Sequence, residues 1–149
     1  MKRLFGLLCV VLALALFQGA AEGAEKMRFK IRVGNELLAK GFLEDNPISR
    51  QLLQASPIKM KMEDYGGSEK ISWPPSKLAL ECATHGLDPK KGDVALFGPW
   101  GNIAVYLHDG LESNGLAPLG KIESGLEALG ARKGEFEAVW EVAPQGQAE

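Results

Sequence analysis

MRFKIRV, residues 27–33, alternates without a break: Met27, Phe29, Ile31 and Val33 point one way, Arg28, Lys30 and Arg32 the other. Period two with a single apolar face describes a half-buried β-strand. At the far end of the chain EFEAVWEV, residues 135–142, repeats the pattern with the opposite sign. Phe136, Ala138, Trp140 and Val142 face inward there, and Glu135, Glu137 and Glu141 face outward. Basic and acidic outer faces favour pairing of these two strands, because opposite charges across a ladder attract and like charges repel. Exposed pairs contribute little energy, so the charges argue for register rather than stability. Pairing the two ends of a chain predicts a sheet that closes on itself.

The segments between them read as short elements separated by turns. Gly34-Asn35 is a hairpin signal, since both residues tolerate positive φ, and ELLAKGFL (36–43) is its return strand. In DNPISRQLLQAS (45–56), Asn46 can cap a helix, Pro47 suits its first position and Ile48, Leu52 and Leu53 form its apolar stripe. Ser56-Pro57 ends it. IKMKMED (58–64) alternates again, Tyr65-Gly66-Gly67 interrupts it, and SEKISW (68–73) resumes extended structure. Cys82 to Gly92 reads as a loop, marked by Asp88-Pro89 and Lys91-Gly92. DVALF (93–97) and NIAVYLH (102–108) are apolar strands joined by Gly98-Pro99-Trp100-Gly101. In SGLEALGARKG (124–134), Ser124 and Glu127 have capping-box spacing, Leu126 and Leu129 make an apolar stripe, and Gly130 or Gly134 can end the helix. The predicted fold class is mostly β: a small antiparallel barrel of about eight strands with two short helices.

The N-terminus is organised differently. Lys2 and Arg3 precede an uncharged apolar run, Leu4 to Phe17, followed by the small residues of QGAAEGAE. That order describes a secretory signal peptide. The run falls short of the roughly 20 residues a spanning helix needs. Cleavage is expected after Ala21, with Gly23 and Ala24 as alternatives, and an uncleaved anchor is the competing reading. Residues 1–24 are thus assigned to the leader, 25–143 to one domain and 144–149 to a polar tail. The mature protein is expected to be exported, periplasmic or secreted, without a stable membrane anchor. Cys9 lacks the small-residue context of a lipoprotein signal. Its removal leaves Cys82 alone, so no internal disulfide can form and a buried, inert thiol is expected. The chain carries 17 basic and 19 acidic residues; without Lys2 and Arg3 the balance is 15 to 19, net −4, or −3 if Glu22 is also removed. With no basic patch, nucleic acid is not an expected partner.

GDVALFGPWGNIAVYL (92–107) and LGKIESGLEAL (119–129), with MEDYGG (62–67) before them, resemble the cyclophilin-like superfamily, in particular its small prokaryotic members. Leu119, Gly120, Ile122, Gly125 and Leu126 fall into the family pattern of an aromatic, Gly, any residue, Val, two variable residues, Gly and Met. The resemblance spans nearly all of residues 27–142. It implies a closed cyclophilin-like barrel of two orthogonal four-stranded sheets with a helix at each end. The superfamily's usual activity is peptidyl-prolyl isomerisation, a step that takes tens of seconds or longer uncatalysed. That chemistry relies on an arginine that polarises the prolyl amide, and no arginine occurs between Arg50 and Arg132. Lys61 is the nearest cation on the corresponding strand, and it lacks the planar fork of a guanidinium. Leu111 and Leu116 stand where the family has tryptophan and histidine, and Ile103 and Val105 where it has glutamine and phenylalanine.

No catalytic residue is therefore assigned. Met62, Tyr65, Trp73, Trp100, Asn102 and Tyr106 remain near the expected pocket and form the candidate ligand-binding set. Each has a structural alternative: Trp100 can clamp its hairpin, Asn102 can satisfy turn amides, and Tyr106 can pack in or on the barrel. His85 and His108, the only histidines, have merely Glu81 and Asp109 as sequence neighbours, so no metal site is expected. Glu63 and Asp64 point to opposite faces of their strand and make no acid–base pair. No phosphate-binding loop or nucleophile motif is present, and no cofactor is expected. The expected function is a non-enzymatic binding module for a peptide or small amphipathic ligand. The alternative is a divergent prolyl isomerase that assists folding of envelope proteins.

Overall fold

A computed structural model describes residues 26–75 and 85–147 of the chain. The leader expected at 1–24, Cys82 and the last two residues of the tail lie outside the described residues. Nine strands and two helices follow in the order β1 (Met27–Val33), β2 (Glu36–Leu43), α1 (Pro47–Ala55), β3 (Ile58–Tyr65), β4 (Glu69–Trp73), β5 (His85–Leu87), β6 (Asp93–Phe97), β7 (Asn102–Tyr106), β8 (Ser113–Ser124), α2 (Leu126–Ala131) and β9 (Phe136–Pro144).

Eight of the strands close into an antiparallel barrel. Their order is β2-β1-β9-β3-β4-β7-β6-β8, and β8 pairs back onto β2. The expected pairing of the chain ends is present: β1 lies against β9 with Lys30 opposite Glu141 and Ile31 opposite Trp140. Arg32 reaches Glu141 at 3.2 Å. On the other side of β9, Lys61 pairs with Glu135 at 2.8 Å and Lys59 with Glu137 at 3.6 Å. The acidic strand is thus flanked on both sides by basic ones.

β8 does most to close the structure. It pairs with β5 near residues 113–116, with β6 along 116–121 and with β2 along 120–124. Glycine lets it approach β2 closely. A Cβ on Gly120 would land on the carbonyl oxygen of Phe42, one on Gly125 on that of Leu38, and one on Gly41 on that of Lys121. Gly125 also has φ +86°, which disfavours any L side chain. The glycines of LGKIESGLEAL are there because two backbones meet.

Inward-facing residues from every barrel strand except β4 form the main core. Phe29 stacks on Trp140 with centroids 5.1 Å apart and planes 12° from parallel, and Ile31, Met60, Leu96 and Ile103 pack around the same interior. Burying each such side chain favours folding by roughly 1.5–3 kcal/mol. β4 instead sends Lys70 and Ser72 inward, both fully buried. α1 forms as expected: the Asn46 side chain accepts from the Ser49 amide at 2.8 Å, Pro47 opens the helix, and Ile48 and Leu52 are buried. It packs against β9, and Ser56 Oγ accepts from the Val142 amide at 2.7 Å.

Three expectations need correction. The stretch 82–92 is not wholly a loop, because His85–Leu87 pairs with β8 as a short strand appended to the barrel. The capping box of α2 does not form. Ser124 is the last residue of β8, Gly125 takes the N-cap position, and no side-chain cap bond is made. The close approach to β2 fixes a left-handed glycine there and leaves no room for the extended cap residue the motif needs. Finally, β9 runs two residues past Val142, since Pro144 still lies opposite Met27.

Candidate functional site

The outer surface of β4, β7, β6 and β8 is apolar. Ile71, Ala95, Ala104, Tyr106 and Leu116 form a second buried cluster there, with Trp73, Leu87 and Phe97 packed against it. β6, β7 and β8 therefore bury apolar residues on both faces, whereas β4 does so only on its outer one, at Ile71, and all five residues of β7 are buried. A cleft of about 400 Å³ lies over this outer cluster, within the range of small-molecule and peptide-side-chain sites.

Its walls are aromatic. Trp100, at the tip of the β6–β7 hairpin, is held by Gly101, whose amide donates to the Phe97 carbonyl at 2.8 Å and whose φ is +69°. The indole meets Phe97 and Tyr65 edge-on, with centroids 5.3 and 5.6 Å away, and stacks on Trp73 at 6.4 Å. Trp73 is itself oriented by its Nε1–H donating to Glu63 at 2.9 Å. Despite these contacts Trp100 stays 52% exposed, Tyr65 46% and the rim residue Leu111 89%. Large apolar side chains exposed together are unusual on a monomer surface.

The floor is polar at one point. Asn102 begins β7, shares the outward-facing register with Ala104 and Tyr106, and is 2% exposed. Its Oδ1 has no hydrogen-bond partner. An unsatisfied buried carbonyl costs about 1–3 kcal/mol. At the other end of β7, Tyr106 lies opposite Glu69 of β4. Burial, then the charges of Glu69 and Asp93, pushes the Tyr106 hydroxyl up to about 12, so the phenol stays neutral at physiological pH. Burial also raises the Glu69 carboxyl above its ordinary range. Asp109 and Glu112 complete the acidic part of the lining.

Of the six residues singled out from sequence, the structure gathers Tyr65, Trp100, Asn102 and Tyr106 in this cleft, with Trp73 behind Trp100. Met62 is elsewhere. It is fully buried in the barrel interior, because β3 alternates and its outward positions are Lys61 and Glu63. Ile103 and Val105 likewise face the interior core, so the cleft-facing residues of β7 are their neighbours. Asn102 does not satisfy turn amides, since its carbonyl is unpaired. Sequence reading missed Glu69, Ile71, Phe97 and Ala104 as lining residues. For Phe97 and Ala104 the one available signal was that VALF (94–97) and IAVY (103–106) stay apolar at successive positions, which a strand with a solvated outer face does not do; nothing comparable marks Glu69 and Ile71.

The described residues lining the cleft include no arginine, lysine or histidine. Lys61 also points outward, opposite Trp73 in the ladder, but it does not line the cleft and pairs with Glu135. Glu63 and Asp64 are separated as expected, one bound to Trp73 and the other to Lys70. Among the described residues no group of three potential metal ligands comes together.

Comparison with known proteins agrees with this geometry. The profile described as the Cyclophilin-like family matches residues 31–141. The solution structure of a hypothetical protein from Archaeoglobus fulgidus superposes with a TM-score of 0.63 at 20% sequence identity, over 82% of this chain and 98% of that one. At that identity the likeness concerns the fold. No match was found among curated proteins.

Proposed function

The chain belongs to the Cyclophilin-like family, and from that premise we propose that it is an exported binding module without isomerase activity, which holds a peptide segment or a small amphipathic ligand in the cleft between Trp100 and Tyr106. The observation that carries this reading is the unpartnered Asn102 carbonyl on the floor of an aromatic-walled, apolar cleft. Buried polar groups are as a rule paired, and this one belongs to a residue lining the cleft, where an occupant can supply the donor. The exposed Tyr65, Trp100 and Leu111 add apolar area to be covered on binding. The signal-like N-terminus supports export.

Two-dimensional exchange spectroscopy on X-Pro peptides, together with tryptophan fluorescence titration, tests the proposal. The expected outcome is saturable quenching with no acceleration of cis–trans exchange. Trp100→Ala is expected to weaken binding at least about tenfold, since exposed aromatics at the centre of a contact dominate its energy. Its effect on stability is expected to stay within ~1 kcal/mol, because half of the side chain is already in water. Exchange that is catalysed by wild type and lost in Asn102→Ala would overturn the non-enzymatic reading.

A further inference from the structure

The electrostatics of the cleft select among possible occupants. Glu69, Asp109 and Glu112 line it, with no basic residue among the described lining positions. None of the three is in an ion pair among the described residues, although Asp109 accepts from the Lys91 amide at 2.9 Å. The same cleft is lined by Tyr65 and Trp100, whose π-systems attract cations. The one unpaired buried group on the floor, Asn102 Oδ1, is an acceptor and calls for a donor. Carboxylates, aromatic walls and an empty acceptor together describe the complement of a planar, donor-rich cation.

Resting on the proposed binding role, we infer that the cleft recognises a peptide segment in which an arginine stands beside an apolar residue. The guanidinium donates to Asn102 Oδ1, stacks against the Trp100 indole and lies within the field of Glu69 and Glu112. The neighbouring apolar side chain covers Leu111 and the Tyr65 ring. A peptide fits better than a free cation for two reasons. The cleft, at about 400 Å³, exceeds what one guanidinium needs, and its apolar rim continues beyond it through Leu111, which is 89% exposed.

The discriminating experiment compares three peptides that differ in one side chain: acetyl-Leu-Arg-Leu-amide, its citrulline analogue and its glutamate analogue. Binding is read from the Trp100 indole cross-peak in proton–nitrogen spectra of the full chain. Citrulline keeps the shape and most donors of arginine but carries no charge. The arginine peptide is expected to bind about tenfold more tightly than the citrulline peptide, and the glutamate peptide more weakly still. Added salt should narrow the difference. Glu69→Gln should cut the arginine preference several-fold, and Glu112→Gln, at an exposed position that folding does not require, should reduce it in the same direction. Equal binding of the arginine and citrulline peptides overturns the inference and leaves the binding module standing. Binding of benzylguanidine without binding of any of the peptides overturns the peptide as occupant. No cross-peak movement with any probe overturns both readings.

Discussion

The barrel has two walls built on opposite plans. The wall of β2, β1, β9 and β3 is apolar inside and charged outside, with Arg28–Glu123, Arg32–Glu141, Lys59–Glu137 and Lys61–Glu135 ion pairs along its outer face. The wall of β4, β7, β6 and β8 buries apolar side chains on its outer face as well, around aromatic rings, with Glu69 and the Lys121–Asp93 pair as its outer charges and Lys70 and Ser72 of β4 as its polar inward residues. Each has a surface hollow of similar size, about 370 Å³ by Arg28, Lys30, Lys40 and Glu141 and about 400 Å³ by Trp100. The first hollow mixes opposite charges that partly answer one another, whereas the second leaves an acceptor unpaired. A wall whose outer face is finished in ion pairs is complete in water. On the binding role proposed above, the apolar outer face is the one that an occupant covers.

The two walls meet at two seams, and those seams should be the most sensitive places in the molecule. At the β2–β8 seam no side chain is available to rearrange, because backbone meets backbone at Gly41, Gly120 and Gly125. Gly125→Ala adds a methyl group against the Leu38 carbonyl and also forces a left-handed residue to carry a Cβ. Overpacking and the strained φ together are expected to cost about 3 kcal/mol or more, lowering the melting temperature by ~10 °C or more. Gly34→Ala is the control, since Gly34 shares the positive φ but has nothing near its Cβ position. If both variants lost the same stability, backbone strain alone would account for the effect and the seam would not be sterically closed.

The β3–β4 seam is held by a buried charge. Lys70 is fully buried, pairs with Asp64 across the ladder, and donates to the Arg132 carbonyl, with the Phe136 ring 5.6 Å from its ammonium. Lys70→Ala is expected to cost about 3 kcal/mol, the low end for breaking such a pair, because Asp64 keeps some water contact and the Gly134 amide at 2.9 Å. The Lys70 hydrogen bond, then the Gly134 amide, holds the Asp64 carboxyl below its ordinary 3.8. A carboxylate with a lowered folded pKa stabilises the fold fully above its unfolded value and loses that contribution as the pH falls through the folded one. In Lys70→Met the loss of stability on acidification from about pH 4 downward should therefore be shallower than in wild type. Urea midpoints across that range measure it. An unchanged slope would place the acid sensitivity elsewhere.

The charged wall was legible in the sequence and the apolar wall only in part. MRFKIRV and EFEAVWEV declare face, partner and register, because alternation fixes which residues look inward and opposite charge fixes which strands meet. Barrel closure follows from that pairing. NIAVY gives no such phase: with both faces buried, nothing in the run tells Ile103 from Ala104, and the family alignment took Ile103 and Val105 for cleft residues when Asn102, Ala104 and Tyr106 face outward. Met62 differs: the alternation of IKMKMED puts it on one face with Ile58 and Met60, and that face is the barrel interior rather than the cleft. The capping box at Ser124 and Glu127 illustrates a tertiary override, in which a close backbone contact with β2, six strands earlier in the chain, decides the local geometry. Asn102 lines the cleft, but its missing partner can be read only from the folded chain.

The smallest effect belongs to the charged wall, and it sharpens the contrast most. Arg32 and Glu141 lie 3.2 Å apart, with side chains 31% and 42% exposed. In a double-mutant cycle with alanine their coupling is expected to stay below ~1 kcal/mol and to shrink as salt is raised. If the pair sets register rather than stability, exchanging the charges should be tolerated. Arg32→Glu alone places like charges together and should be the worst of the set, while Arg32→Glu with Glu141→Arg should recover most of the loss. Recovery at low salt that fades at high salt identifies an electrostatic choice of partner on a wall whose energy lies in its interior. A coupling above about 2 kcal/mol would mean instead that the charges hold the wall together. In that case a finished outer face would be a source of stability, and the bare aromatic face opposite could no longer be explained merely by what it binds.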